Sequence, residues 1–345
     1  MNIIEFNNVT KNVYNFKLKP TYIKMKKGEI LGIVGKPGSG KTTLLKLLLN
    51  FYRPKTGDIT VFGMDSIRDS KEIKKNIGVI PQSNWFDNSA RPMALLKNTL
   101  RTRRTKNNGE IDFLIDYFEM KLANKIGNLS PLDRRKLAVI NGLVSNSELI
   151  ILDEPESITD SKSRVKLYDI LEEKNREGAS ILISTSNLKE AQSICDNIYY
   201  LHNREIIEEE DQSNKLSNDK ILKYYDKDVD KGIFTGIGAK LVRSGNETVF
   251  YYNSSLDLLA EAIYKSGLID FSVEDSTLNE KLTIIEKDIV LGTDKNEEII
   301  FEKSENKKPD EPSSYIVESK VEGSTIVIKS EDMEEAQEAR NVDTN

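Results

Sequence analysis

The chain has 345 residues, enough for one large domain or two. Hydrophobic residues make up 38% and charged residues 31%, so a real core is available beneath a strongly charged surface. A net charge of −6 gives no general electrostatic case for nucleic acid, and the single cysteine, Cys195, excludes an internal disulfide. Met1-Asn2-Ile3-Ile4-Glu5 is not the basic start and apolar stretch of a signal peptide. No apolar run approaches the roughly 18–20 residues that span a bilayer, so a membrane role requires a partner chain.

Residues 3–10 and 21–25 read as opening strands, and Ile30–Val34 as a buried one. Gly35-Lys36-Pro37-Gly38-Ser39-Gly40-Lys41-Thr42 follows, and residues 43–49 read as a helix. Strand, glycine loop and helix N-terminus are the context of a phosphate-binding loop. Its glycines let backbone N–H groups wrap a phosphate, and the helix dipole favours the anion. Lys41 is expected at the β/γ-phosphates and Thr42 on Mg²⁺.

Val79-Ile80 is a short strand, and Gln82 puts an amide at its end, within range of Mg²⁺ or an attacking water. Residues 90–127 have helical spacing, and Leu132–Val144 forms another helix. The apolar strand Leu149–Leu152 ends in two carboxylates. Asp153 suits the Mg²⁺ shell, and Glu154 suits a general base for water. Helix Ser161–Lys174, strand Ile181–Ser184, helix Leu188–Cys195 and strand Ile198–Leu201 complete an alternation that implies a parallel sheet. Cys195 reads as core filler, and His202, beside a turn at Asn203-Arg204, as a surface residue.

The chain turns acidic near Glu208–Asp211, where a boundary is expected. Residues 232–288 give two strands (239–243, 248–252), helix 256–265, strand 269–273 and helix 278–285. From Lys303 onward eleven acidic residues face six basic ones. That tail reads as a solvated segment, with Tyr315–Ile328 as a possible hairpin turning at Glu322-Gly323-Ser324.

Over residues 1–210 the chain resembles the ATP-binding cassette (ABC) ATPases. The matching elements are the Gly35–Thr43 loop, Gln82 at the Q-loop, Leu129-Ser130 at the signature and Leu152-Asp153-Glu154-Pro155. Asp160 matches the D-loop, and Ser184-Thr185 the switch strand. The resemblance implies a P-loop NTPase domain at 1–210, with a RecA-like core plus a helical subdomain. A small α+β accessory domain at 211–303 and an acidic tail at 304–345 follow. Residues 232–288 look like the small C-terminal domain on ATPases of bacterial drug, antibiotic and peptide exporters.

The resemblance implies ATP and Mg²⁺ as ligands. Gly35, Lys36, Pro37, Gly38, Ser39, Gly40, Lys41, Thr42 and Thr43 would hold the phosphates, and Tyr14 the adenine. Thr42, Gln82 and Asp153 would serve the metal; Glu154, Gln82 and the switch residue would serve catalysis. Ser130 and Asp160 would serve the partner's and the shared nucleotide. Partners would be a second ABC ATPase and a membrane-spanning subunit, on the cytoplasmic face of the membrane, with no nucleic acid.

Two departures stand out. The family's Leu-Ser-Gly-Gly-Gln signature is here Leu129-Ser130-Pro131-Leu132-Asp133. Pro131 removes a backbone donor, Leu132 obstructs close approach, and Asp133 adds a negative charge. Ser130, Pro131 and Asp133 nonetheless make a good helix start. The family's switch histidine is replaced by Ser186, which is shorter and carries no positive charge. Slow hydrolysis by the isolated chain is therefore expected, from a transport motor or from a regulatory pseudo-ATPase. For Arg101–Lys106, a solvated helix end competes with a contact to a membrane partner or anionic lipid. For Trp85 and Phe86, docking of a membrane subunit competes with local packing.

Overall fold

The computed structural model describes residues 1–13, 16–83, 86–105, 109–144, 147–155, 160–211, 219–226, 229–293, 315–318 and 325–328. The chain divides into a unit Met1–Ile285 and a unit Glu286–Asn345.

The larger unit opens with strands β1 (Asn2–Val13), β2 (Phe16–Lys26) and β3 (Ile30–Val34), and helix α1 (Lys41–Leu48). Strands β4 (Thr56–Val61) and β5 (Met64–Asp65), helix α2 (Ser70–Ile73) and strand β6 (Ile77–Ile80) follow. A helical stretch holds α3 (Pro92–Arg103), α4 (Glu110–Tyr117) and α5 (Pro131–Leu143). Then come β7 (Leu149–Asp153), α6 (Ser161–Arg176), β8 (Ser180–Thr185), α7 (Leu188–Ile194), β9 (Asn197–His202) and β10 (Glu205–Asp211).

The central sheet has the order β10-β9-β3-β8-β7-β6, parallel except for the β10–β9 hairpin. Its strands are apolar on both faces because both faces are covered. In β7, Ile150 and Leu152 join the core shared with α3, α4, α5 and α6, while Leu149 and Ile151 join the core shared with α1 and the β1–β4 layer. That period-2 split explains why β7 reads as an unbroken apolar run. The second layer is an antiparallel sheet of order β2-β1-β4-β5.

A third sheet occupies residues 220–275. Its strands are β11 (Lys220–Tyr224), β12 (Lys240–Arg243), β13 (Thr248–Tyr252) and β14 (Phe271–Asp275), in the order β12-β13-β11-β14. Helices α8 (Gly232–Gly236) and α9 (Leu256–Ser266) cover one face, packing on Leu222, Tyr224, Phe250 and Tyr252. Ile284 of α10 (Leu278–Thr293) packs with Ile221, Val249 and Tyr251 on the other. The sequence pattern placed the last strand at 269–273. It runs two residues later, because Gly267 ends α9 at φ 70° and Leu268, not the exposed Ile269, turns into the core.

Leu282 and Ile285 enter the same core as Tyr200 and Ile198 of β9. A buried polar cluster joins the two layers. Lys281 Nζ lies 3.4 Å from Asp219 and donates to Tyr251 Oη at 2.9 Å, and Gln192 of α7 donates to Asp219 at 2.7 Å. Nearby, Asp275 accepts from both Lys189 of α7 and Lys220, each at 2.5 Å.

In the smaller unit, β15 (Tyr315–Glu318) and β16 (Thr325–Ile328) pair antiparallel, as the alternation suggested. No helix among the described residues is long and apolar enough to cross a membrane.

Candidate nucleotide site

The C-terminal ends of β3, β8, β7 and β6 lie side by side, so residues far apart in sequence converge there. Gly35 N–H donates to Thr185 O at 3.2 Å and ties the loop to β8. Gly38 and Gly40 take φ values of 79° and 119°, which a glycine adopts without strain. Lys41 heads α1 and is buried. Its ammonium donates to Gly35 O at 2.6 Å and Lys36 O at 3.2 Å, and lies 3.3 Å from Glu154 Oε1. The other Glu154 oxygen accepts from Gln82 Nε2 at 2.6 Å. Glu154 has φ 49°, a left-handed conformation costly for a side-chain-bearing residue, and its N–H donates to Ser184 O at 2.8 Å.

Asp153 is buried at the end of β7. It accepts from Thr42 Oγ1 at 3.1 Å and from Ser184 Oγ at 2.6 Å. Thr42 and Asp153 therefore face one another with oxygens suited to a hard divalent cation, and the residues present fit Mg²⁺ bound with a nucleotide. The partner of Gln82 is Glu154, the residue after Asp153. Ser186 follows the last residue of β8, beside the strand that carries Asp153.

The structure thus gathers Lys41, Thr42, Gln82, Asp153 and Glu154. Ser130 and Asp160 act instead within their own helix starts. Ser130 caps α5: Asp133 N–H donates to its Oγ at 3.0 Å, and its hydroxyl donates to Asp133 Oδ2 at 2.6 Å. Asp133 Oδ1 accepts from Lys121 N–H at 3.0 Å. Asp133 is buried, so the exposed residues of this segment are Ser130 and Pro131. Asp160 caps α6, accepting from Lys162 and Ser163 N–H at 3.2 Å and from the Ser163 hydroxyl at 2.5 Å. These bonds, the hydroxyl's first, hold its carboxyl below the usual value. Tyr14 lies outside the described residues, as do Trp85 and Lys106.

The other residues singled out in the sequence divide between those that behave as it suggested and those that do not. His202 is half-buried beside the phosphate-binding loop, lining one cleft with Lys36. Arg135 was not anticipated. It donates to Pro81 O, next to Gln82; burial lowers its pKa while the negative charge of Asp153 opposes that. Its position two residues after Asp133 was the only signal in the sequence. Arg103 is not a solvated helix end: it donates to Val144 O at 3.0 Å beyond the last turn of α5, and burial draws its pKa to about 10. Phe86 packs on the core. Cys195 is core filler, with burial pushing its thiol pKa up and Gly32 leaving room for Sγ.

A family model described as ABC transporter matches residues 18–157. The chain is 31% identical over 220 residues to the zinc uptake system ATP-binding protein ZurA of Listeria monocytogenes, covering 60% of this chain and 85% of that protein. It is 28% identical over 191 residues to the ABC transporter ATP-binding protein NatA of Bacillus subtilis, covering 54% and 78%. It is 26% identical over 270 residues to the Nod factor export ATP-binding protein I of Rhizobium etli, covering 74% and 84%. A solved dimeric ATP-binding cassette in a post-hydrolysis state, bound to ADP and Pi, has the same fold at TM-score 0.55 and 24% identity, over 61% of this chain and 99% of that one. The phosphate-binding loop, the carboxylate pair and these relatives lead to one conclusion: the chain belongs to the ABC transporter family, as one of its ATP-binding proteins.

Proposed function

We propose that the chain is the ATP-hydrolysing motor subunit of a bacterial exporter, slow on its own and completed by a partner cassette and a membrane subunit. The observation that carries catalysis is the Lys41–Glu154–Gln82 contact. Lys41 is held by two backbone carbonyls and Glu154, and arriving phosphate oxygens compete for its ammonium. As Lys41 turns to the phosphate, Glu154 Oε1 is released to take a proton from water. Gln82 keeps the carboxylate oriented through Oε2. When bound, Mg²⁺ at Thr42 and Asp153 would neutralise phosphate charge. Ser184 fixes the Asp153 carboxylate for that role.

What supports export is the match to one Nod factor export protein, which spans 270 residues and 74% of this chain and so runs past the cassette of residues 1–210. Residues 211–303 then serve as an accessory domain and 304–345 as a tail. The substrate would be a drug, lipid or peptide, and the chain would sit on the cytoplasmic face of the membrane.

A second reading has its own support. Ser130 spends its hydroxyl on Asp133, and Ser186 stands where the family has histidine. A regulatory subunit that binds ATP and scaffolds a competent cassette fits those features. The composition of the complex purified from solubilised membranes through a tag on this chain, read by native mass spectrometry, tests the proposal. A membrane protein with a second cassette is the expected result. Recovery with no membrane protein would overturn the motor.

A further inference from the structure

The β9–β10 turn sits against the phosphate-binding loop and is pinned there. His202 pairs with Glu205, leaving Asn203 and Arg204 as a two-residue turn. Both have positive φ, 46° and 66°, the geometry such a turn requires and glycine usually supplies. Lys19 N–H donates to Arg204 O at 3.0 Å, and the Lys19 ammonium pairs with Glu205 at 2.6 Å. Leu201 O lies so close to Gly35 that any Cβ there would collide with it. The turn therefore keeps a fixed place relative to the loop.

Between them is a cleft of about 330 Å³, lined by Lys36–Ser39 on one side and residues 202–204 on the other. Three of its side chains, Lys36, His202 and Arg204, are bases. No carboxylate lines it among the described residues, and Glu205, the nearest acid in sequence, is engaged by Lys19. Ser39 adds a buried hydroxyl without a hydrogen-bond partner. Such a cleft suits an anion.

Strand order fixes which part of a nucleotide would lie there. Asp153 ends β7, and Glu154, Gln82 and Ser186 follow β7, β6 and β8, all on one side of β3. β9 is on the other side, away from the hydrolytic groups. β2, which borders the turn, starts two residues after Tyr14, the aromatic expected at the adenine.

We infer that this turn is part of the nucleotide site: Arg204 and His202, with Lys36, contact the α-phosphate and ribose of a nucleotide held on the phosphate-binding loop. The inference rests on the reading of Gly35–Thr43 as an ATP site. Both contacted groups are common to ATP and ADP, so losing the contact weakens the two equally.

Equilibrium binding of ATP and ADP to the full chain, with and without Mg²⁺, tests this. Arg204→Gly is the variant of choice, because glycine adopts φ 66° without strain and leaves the turn intact. It should weaken ATP and ADP alike, by about tenfold, the size expected for a charge-assisted hydrogen bond. His202→Gln should weaken both less, and Arg204→Lys should recover part of the loss. ATP weakened but ADP unchanged, or both unchanged in Arg204→Gly, would overturn the inference while leaving the ATP site standing. Wild-type protein that binds neither nucleotide would overturn the ATP site and the inference together.

Discussion

Glu154 does two things that a single sequence position does not advertise. Its left-handed backbone turns the carboxylate toward both Lys41 and Gln82, and those two partners occupy its two oxygens. The ammonium is buried and the carboxylate, 3.3 Å away, is part-exposed, so on the proposed reading a phosphate competes with Glu154 for Lys41 before Glu154 acts. The two departures from the family pattern lie outside that triad. On the proposed reading, Ser186 withholds a cation from the hydrolytic side, and Pro131 and Leu132 withhold the flexible backbone of the signature. Ser186→His combined with Pro131→Gly and Leu132→Gly should raise phosphate release by about 10²-fold or more, the lower end of what a restored catalytic group contributes. A triple variant that folds and binds ATP but turns over no faster would contradict this. The phosphate-binding loop, Asp153 and Glu154 were legible because each motif carries its own local context. The orientations of Asp133 and Arg135 were not, since both depend on elements distant in sequence: Lys121 for one, Pro81 for the other.

Helix α7 begins two residues after Ser186 and is gripped by the 219–275 layer at two points. Its Gln192 bonds Asp219, which with Lys281 and Tyr251 forms a buried polar cluster. Removing one partner of such a pair leaves the other charge buried, at a cost of about 3–5 kcal/mol. Lys281→Met should lower stability by about that amount, measured by denaturant unfolding; a loss under about 1 kcal/mol would show that the pair contributes little. Asp275 gives a pH signature. Hydrogen bonds from Lys189, then Lys220, hold its carboxyl at about 2 against an ordinary 3.8. A depressed folded pKa contributes stability that is present above the unfolded value and lost as pH falls through the folded one. Asp275→Asn should therefore flatten the stability loss between about pH 4 and pH 2, with little change in slope above pH 5. An unchanged acid limb would remove Asp275 from the account. β11 escaped the sequence reading because Lys220 and Lys223 interrupt its apolar pattern: both amines leave the core to pair with Asp275 and Glu274 on β14.

At the scale of the molecule, the central sheet was legible because strands apolar on both faces alternate with amphipathic helices. The β1–β4 layer was only half legible. β4 has exposed residues at its start, and its partner β1 carries register shifts that break strict alternation. What the chain does as a whole turns on whether its own site hydrolyses ATP. Phosphate release by the purified protein, compared with Glu154→Gln under saturating Mg·ATP, is the direct measurement. The predicted result is tight ATP binding by both proteins, with slow release by the wild type falling at least about 10²-fold in the variant. Release that Glu154→Gln leaves unchanged, or a wild type that binds ATP and releases no phosphate, would contradict the motor.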